Sequence, residues 1–143
     1  MSELDPSDHI FRHIGGASID GDFIDPAAFR RKIKDDGKME DGLSVNWVEY
    51  FQRATPEEAI PPLCDIFARK NRKVGITSKF ALLNVRQAKE AAAKYTAVSI
   101  VLNAKPDDPS HSLVKDFEEA LNDQVAEELQ KVIIAAYPPP PKA

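Results

Sequence analysis

The chain has 143 residues, of which 43% are hydrophobic and 29% are charged, and its net charge is −4. A chain of this length forms one domain and buries roughly 70% of its unfolded surface, so it needs neither a disulfide nor a metal to hold its core together. The acidic balance argues against a general nucleic-acid binder, whose affinity depends on neutralising phosphates.

Other sequence features indicate a cytoplasmic protein. The single cysteine, Cys64, has no partner for an internal disulfide, as expected in a reducing compartment. No apolar run approaches the roughly 20 residues that cross a bilayer, and the acidic segment MSELDPSDHI lacks the pattern of a secretion signal. Two basic runs, 30–34 and 69–73, contain no aromatic residue for stacking on bases, so we interpret them as solvated helix ends.

Segments with strand and helix signals alternate along the chain, starting with a strand at 9–14. Its sequence, HIFRHI, favours extended structure and is closed by two glycines. A helix is predicted at 25–37, because Asp25 is suited to cap it, Pro26 to its first position and a glycine to its end. At 42–51, alternating apolar and polar residues then predict a half-buried strand.

The middle of the chain predicts a helix at 55–71. Thr55 and Glu58 have the spacing of a capping box, and apolar residues then recur at helical intervals. Pro61 and Pro62 fall inside this segment, where prolines remove a backbone hydrogen bond, so we expect them to kink or restart the helix.

The remaining elements are two strands and two helices. A strand is predicted at 73–85, and Asn84 is suited to cap a short alanine-rich helix after it. Residues 97–103 are mostly apolar and β-branched, which predicts a strand at the centre of the sheet. An apolar stripe at helical spacing from 109 to 136 predicts the longest helix.

This order of elements predicts an α+β protein: a two-layer sandwich in which about four helices cover a mixed four-stranded sheet. The alternative is a small doubly wound α/β fold, which also arises from alternating strands and helices. Two amphipathic strands favour the two-layer sandwich. We assign residues 1–137 to a single globular domain and the proline-rich residues 138–143 to an extended tail.

His111 is the first candidate for a site residue. Asp108 and Pro109 form a helix-start pair, so His111 is predicted in the first helical turn, at a loop-to-helix corner beyond a central strand. Ligands of sheets with parallel strands bind at such corners. Because Asp107, Asp108 and Asp116 surround the position, we favour a surface or capping role over anion binding.

Arg12 and His13 are further candidates. In the predicted strand, Arg12 lies between Ile10 and Ile14 on the apolar side, where a charge needs a partner or a ligand; a buried salt bridge is the preferred explanation. His13 lies about 13 Å along the strand from His9. That spacing is unsuited to a metal, and we expect neither a metal nor a cofactor.

The sequence contains no complete catalytic pattern, since it lacks a G-x-S-x-G elbow and Cys64 lies on a predicted apolar stripe. We therefore expect an accessory domain without enzymatic activity, which binds another protein or a second copy of itself. Trp47 and Tyr50 are the predicted interface residues, because aromatic side chains supply much of the binding energy where proteins meet.

The alternative function is that of a small enzyme or ligand-binding protein for a phosphorylated or nucleotide-like molecule. Arg12 would bind this small anionic ligand, and His13 or His111 would act as acid or base. This hypothesis requires the three side chains to cluster around a pocket.

Overall fold

A computed structural model describes residues 2–141 of the chain. Within them lie eight strands and three α-helices: β1 (His9–Ile14), β2 (Ile19–Asp20), β3 (Phe23–Ile24), β4 (Gly42–Trp47), α1 (Ile60–Arg69), β5 (Lys79–Asn84), α2 (Val85–Ala92), β6 (Ser99–Leu102), β7 (His111–Lys115), α3 (Asn122–Lys131) and β8 (Ala135–Tyr137). None of the helices in this part of the chain is long and apolar enough to span a membrane.

Six strands form one sheet in the order β6-β7-β4-β1-β5-β8, and every neighbouring pair is antiparallel. β2 and β3 form a separate two-stranded sheet. The α+β class is therefore confirmed. The mixed four-stranded sheet, the fourth helix and the doubly wound alternative are wrong, because alternation of strands and helices along a chain does not determine which strands pair.

Helices cover both faces of the six-stranded sheet. Along β1, Ile10 belongs to the core on one face and Phe11 to the core on the other, since side chains alternate along a strand. α1 packs on the Phe11 side, and α2 and α3 pack on the Ile10 side. The predicted two-layer arrangement is therefore also wrong, because it leaves one face of the sheet without helices.

The helix predicted at 25–37 is only a 3-10 turn, Pro26–Phe29. Its start is as expected, since Asp25 accepts a hydrogen bond from the backbone N–H of Ala27 at 2.9 Å. Beyond the turn, contacts with distant parts of the chain override the helical pattern. Arg31 donates from its side chain to the carbonyl oxygen of Phe117 and lies over the ring of that residue.

The helix predicted at 109–136 is divided between β7 and α3. Residues 111–115 pair with β4 along one edge and with β6 along the other, and side chains on both faces of β7 are buried. Apolar residues four apart, such as Leu113 and Phe117, suit a helix equally well, and only strand pairing distinguishes the two structures. Asp108 and Pro109 precede a strand rather than a helix.

The strand predicted at the centre of the sheet, β6, lies at its edge. Its apolar character has another cause, because the first residues of the chain cover it. Leu4 donates from its backbone N–H to Ile100 at 2.9 Å, and Leu102 donates to Ser2 at 2.8 Å. β6 is thus buried on both faces although it lies at the edge of the sheet, and part of its outer backbone edge is hydrogen-bonded to the first residues of the chain.

The other elements exist as predicted, but three of them are shorter: β4 ends at Trp47, α1 begins at Ile60 and β5 begins at Lys79. β1 has the predicted bounds, and Asn84 accepts a hydrogen bond from the backbone N–H of Gln87 at 3.0 Å to cap α2. Pro61 and Pro62 lie in the first turn of α1, where a missing N–H breaks no helical bond, so the helix is not kinked. Of the predicted tail, 138–141 follows β8, while 142 and 143 lie outside the described residues.

The end of α1 brings a basic segment back over the helix. Asn71 adopts a left-handed conformation with φ of 57°, and its N–H donates to Ala68 at 3.1 Å. The N–H of Arg72 donates to the carbonyl oxygen of Phe67 at 2.8 Å. These two bonds form a Schellman turn, which places Lys70 and Arg72 beside Phe67.

Candidate functional site

The candidate site lies on the α1 face of the sheet. Phe11, Asn46 and His111 are neighbours there on β1, β4 and β7, as the strand register shows. The apolar core beneath α1 includes Phe11 but no residue of β6 or β7. Beyond Phe11 the same face carries polar side chains, so a polar network lies next to an apolar core.

The pairing of β1 with β4 is short and ends at Arg12. β1 pairs with β5 along all six of its residues, but it pairs with β4 only at Ile10 and Phe11. The side chain of Arg12 then bridges the two strands, since its Nη1 donates to the carbonyl oxygen of Ser44 at 2.8 Å and its Nε to that of Ala28 at 2.9 Å. The side chain of Arg12 therefore connects β1 to β4 at the point where the backbone pairing between them ends.

Arg12 is bound by carbonyl oxygens and not by the carboxylate that the sequence favoured. Burial and the nearby charge of Arg72 together lower the pKa of Arg12 to about 10, and Glu40 opposes both effects. At neutral pH the guanidinium is still charged. The middle of the sheet thus contains a buried positive charge close to a second arginine.

Three nitrogen-bearing side chains pack against the ring of Phe67: His13, Lys70 and Arg72. We call these four residues the Phe67 cluster. The His13 ring packs edge-on against Phe67 with centroids 5.6 Å apart. The Arg72 guanidinium carbon lies 4.5 Å from the centroid of the Phe67 ring, and the Lys70 ammonium 5.6 Å. Two elements supply the cluster, since β1 carries His13 and the Schellman turn carries the two basic residues.

His13 is neutral at physiological pH. Burial lowers its pKa to about 4, and the charges of Arg72 and Arg12 contribute. Its Nε2 is buried and has no hydrogen-bond partner among the described residues. A buried polar atom without a partner is uncommon in native proteins and requires an explanation, such as a ligand or a water molecule.

Asp108 has no exposed surface and is fully hydrogen-bonded. It accepts bonds from Lys70 Nζ at 3.0 Å, from Ser110 Oγ at 2.9 Å, and from Asn46 Nδ2 at 3.1 and 3.2 Å. Burial by itself would raise the pKa of Asp108, but the bonds from Lys70, Ser110 and Asn46 outweigh it and lower that pKa. Asp108 is therefore ionised and neutralises Lys70.

His111 forms a fixed pair with Ser44. Its Nδ1 lies 3.1 Å from the carbonyl oxygen of Asn103, which can only accept, so Nδ1 carries the proton. Burial lowers the pKa of His111 despite the opposing bond to Asn103, which keeps the ring neutral. Nε2 is then an acceptor, and Ser44 Oγ donates to it at 3.2 Å. A neutral histidine in this position can take the serine proton.

The structure unites some of the predicted site residues and separates others. His13 and His111 lie on the α1 face, whereas the side chain of Arg12 starts from the opposite face and reaches between the strands. Trp47 and Tyr50 lie at the C-terminal end of β4, where Trp47 Nε1 donates to Asp8 at 3.0 Å. An interface role for these two aromatic residues stays a prediction.

Sequence reasoning missed Ser44, Lys70 and Arg72. Ser44 reaches His111 only because β4 pairs with β7, and no local pattern indicates that pairing. The basic run 69–73 was correctly placed at a helix end, but a solvated end was expected. The signal that could have been used is Asn71, since asparagine readily adopts the left-handed conformation that turns the chain back.

Comparisons with known proteins identify no relative. No family model, curated protein or solved structure matches the chain. Among residues 2–141, no group of three histidine, cysteine, aspartate or glutamate side chains is placed to hold a metal ion. The functional assignment therefore rests on the geometry and charge of the site.

We expect Asp108→Asn to destabilise the protein strongly. The substitution removes the charge that pairs with Lys70, whose side chain is only 18% exposed, so the free energy of unfolding should fall by about 3 kcal/mol. Urea denaturation measures this loss. Asp107→Asn, at an exposed neighbour, is the matched control and should change it by less than about 0.5 kcal/mol. Equal losses in the two variants would contradict the role given to Asp108.

The low pKa of His13 predicts a defined pH dependence of stability. The folded-state pKa of about 4 lies below the ordinary 6.5, so between these values the unfolded chain binds a proton that the folded protein does not. Stability should therefore fall as pH decreases from 6.5 to 4. His13→Phe keeps an aromatic ring against Phe67 and Phe80, and it should reduce this slope. His111 and carboxylates with a lowered pKa, such as Glu128, should supply what is left. An unchanged slope would show that His13 titrates normally.

Proposed function

We propose that the protein binds a small phosphorylated molecule at the Phe67 cluster. The observation that carries the proposal is the convergence of Arg72, Lys70 and His13 on one aromatic ring, with the buried Nε2 of His13 left without a partner. A phosphate oxygen beside His13 and Arg72 would satisfy this nitrogen and offset the local positive charge.

Arg72 is the anion-binding residue in this proposal. Its guanidinium is held against Phe67 and takes part in none of the salt bridges found among the described residues. A planar guanidinium of this kind binds phosphate through two parallel hydrogen bonds. Arg72 replaces Arg12, the residue expected from the sequence, because Arg12 already donates to the carbonyl oxygens of Ala28 and Ser44.

The carboxylate of Asp108 does not oppose an anion here, although the sequence suggested that it would. Its charge is balanced by Lys70, and Asn46 and Ser110 occupy its remaining acceptor positions. Lys70 in turn is held with its ammonium near the Phe67 ring. The net charge of the Lys70–Asp108 pair is zero, so Arg72 and the nearby Arg12 make the local potential positive.

We expect inorganic phosphate to bind with a Kd on the order of 1 mM, the affinity of a weak single-anion site. Titration followed by the NMR signal of the His13 ring should also show its pKa rising from about 4, since a nearby anion favours the protonated imidazole. Arg72→Gln should weaken binding about tenfold, the loss expected for one charge-assisted hydrogen bond.

Arg69→Gln is the matched control for that experiment. Arg69 is an exposed arginine at the end of the same helix, but it does not lie over Phe67. The control variant should bind phosphate as the unmodified protein does. A similar loss in both variants would indicate a diffuse charge effect and would refute a defined site.

Protein binding through Trp47 and Tyr50 is a second candidate function. Tyr50 is 40% exposed, and its ring packs edge-on against Phe51 at 5.1 Å and tilted against Trp47 at 6.3 Å. Aromatic side chains held by their neighbours lose little entropy when a partner covers them. This observation supports an accessory role, with a second copy of the chain as the partner that is simplest to test.

If the aromatic group mediates self-association, sedimentation velocity should show a dimer whose population rises with protein concentration. Tyr50→Ser should then raise the dissociation constant about tenfold or more, as for a central interface residue. Tyr95→Ser is the matched control, because Tyr95 is 42% exposed but lies elsewhere, after α2. A monomer at all concentrations would refute self-association through this surface.

A further inference from the structure

A cavity of about 360 Å³ adjoins the Phe67 cluster on the outer side of α1. Arg72 belongs to both, because it lies over the Phe67 ring and also lines the cavity. A volume of this size lies within the roughly 300–1,000 Å³ of small-molecule sites. The other lining residues are Cys64 and Ala68 of α1, Lys73, Val74 and Ile76 of the following loop, and Pro139, Pro140 and Pro141.

The proline segment is anchored where it forms the cavity wall. β8 pairs with β5, and the Tyr137 ring packs edge-on against Phe11 with centroids 6.3 Å apart. The prolines that follow also line a second cavity with Ile60 and Pro61, at the start of α1. They therefore lie alongside the helix, and the wall does not depend on a single contact.

The cavity has a basic end and an apolar body. Arg72 and Lys73 supply the positive charge, while Ile76, Val74 and the prolines supply apolar surface. Ile76 is 80% exposed, so its side chain is free to contact the apolar part of a ligand. Proline rings pack well on flat aromatic surfaces, as in the recognition of proline-rich segments by aromatic grooves.

We propose that the ligand is a phosphate ester of an aromatic ring system, such as a nucleotide, with its phosphate between Arg72 and His13 and its ring between Ile76 and the prolines. This inference rests on the proposed function and adds the class of the non-phosphate part. One molecule must reach both places to bind in this way, and Arg72 is the residue that the two places share.

The only cysteine of the chain offers an independent reporter of the cavity. Cys64 is half-buried and lines the cavity, whereas His13, beside which we place the phosphate, does not line it. Burial and the neighbouring Asp65 raise the pKa of the Cys64 thiol, so its alkylation should be slow enough to follow. A ring in the cavity should protect this thiol, whereas phosphate alone should not.

The test compares phenyl phosphate with methyl phosphate on the full chain. Both carry the same anionic group, and only the first carries an aromatic ring. We expect phenyl phosphate to bind at least tenfold more tightly by NMR of the His13 ring and to slow the alkylation of Cys64 at least threefold. Methyl phosphate should bind like inorganic phosphate and leave the alkylation rate unchanged.

Ala68→Phe is designed to fill the cavity without disturbing the core, because Ala68 lies on the exposed side of α1. It should abolish the preference for phenyl phosphate and leave the affinity for methyl phosphate unchanged. Equal affinities of the unmodified protein for the two esters would overturn this inference while leaving phosphate binding intact. If neither ester nor inorganic phosphate binds, the proposed function fails and this inference fails with it.

Discussion

The buried carboxylate of Asp108 is the constraint on which the arrangement of this site depends. It receives hydrogen bonds from Lys70 at the end of α1, from Asn46 on β4 and from Ser110 directly before β7. One ionised group therefore ties a helix to two strands. Because a buried charge without partners is very unfavourable, the three partners must stay in place, and α1 is held in a fixed position over the sheet.

That position has consequences for both halves of the α1 face. On the β5 side, α1 covers an apolar core with Phe67 at its edge. On the β7 side, polar groups satisfy one another around Asp108 and His111. The Phe67 cluster lies where the two halves meet. Lys70 is half-buried there, whereas Arg72 is exposed and can be reached by an anion from solvent.

The sequence indicated candidate site residues within 9–14, but the contacts of Arg12 differ from those expected. Arg12 was expected to hold an anion or a carboxylate, yet it bridges β1 and β4 through backbone carbonyl oxygens. His13 was named as an acid or base without a stated environment. Its environment comes from Phe67 and Arg72, which lie more than fifty residues away in the chain. Side chains so distant in sequence leave no local pattern.

The sequence by itself determined the features that depend on bonds between near neighbours. Asp25 and Asn84 cap their turns as expected, and β1 has the predicted bounds, because each involves groups a few residues apart. Only the tertiary structure decided that residues 111–115 form a strand and that Ser44 meets His111. Those two residues are 67 positions apart, and antiparallel pairing of β4 with β7 brings them together. Strand pairing is a non-local choice, since the energy of a ladder depends on the partner strand as well as on the segment's own propensity.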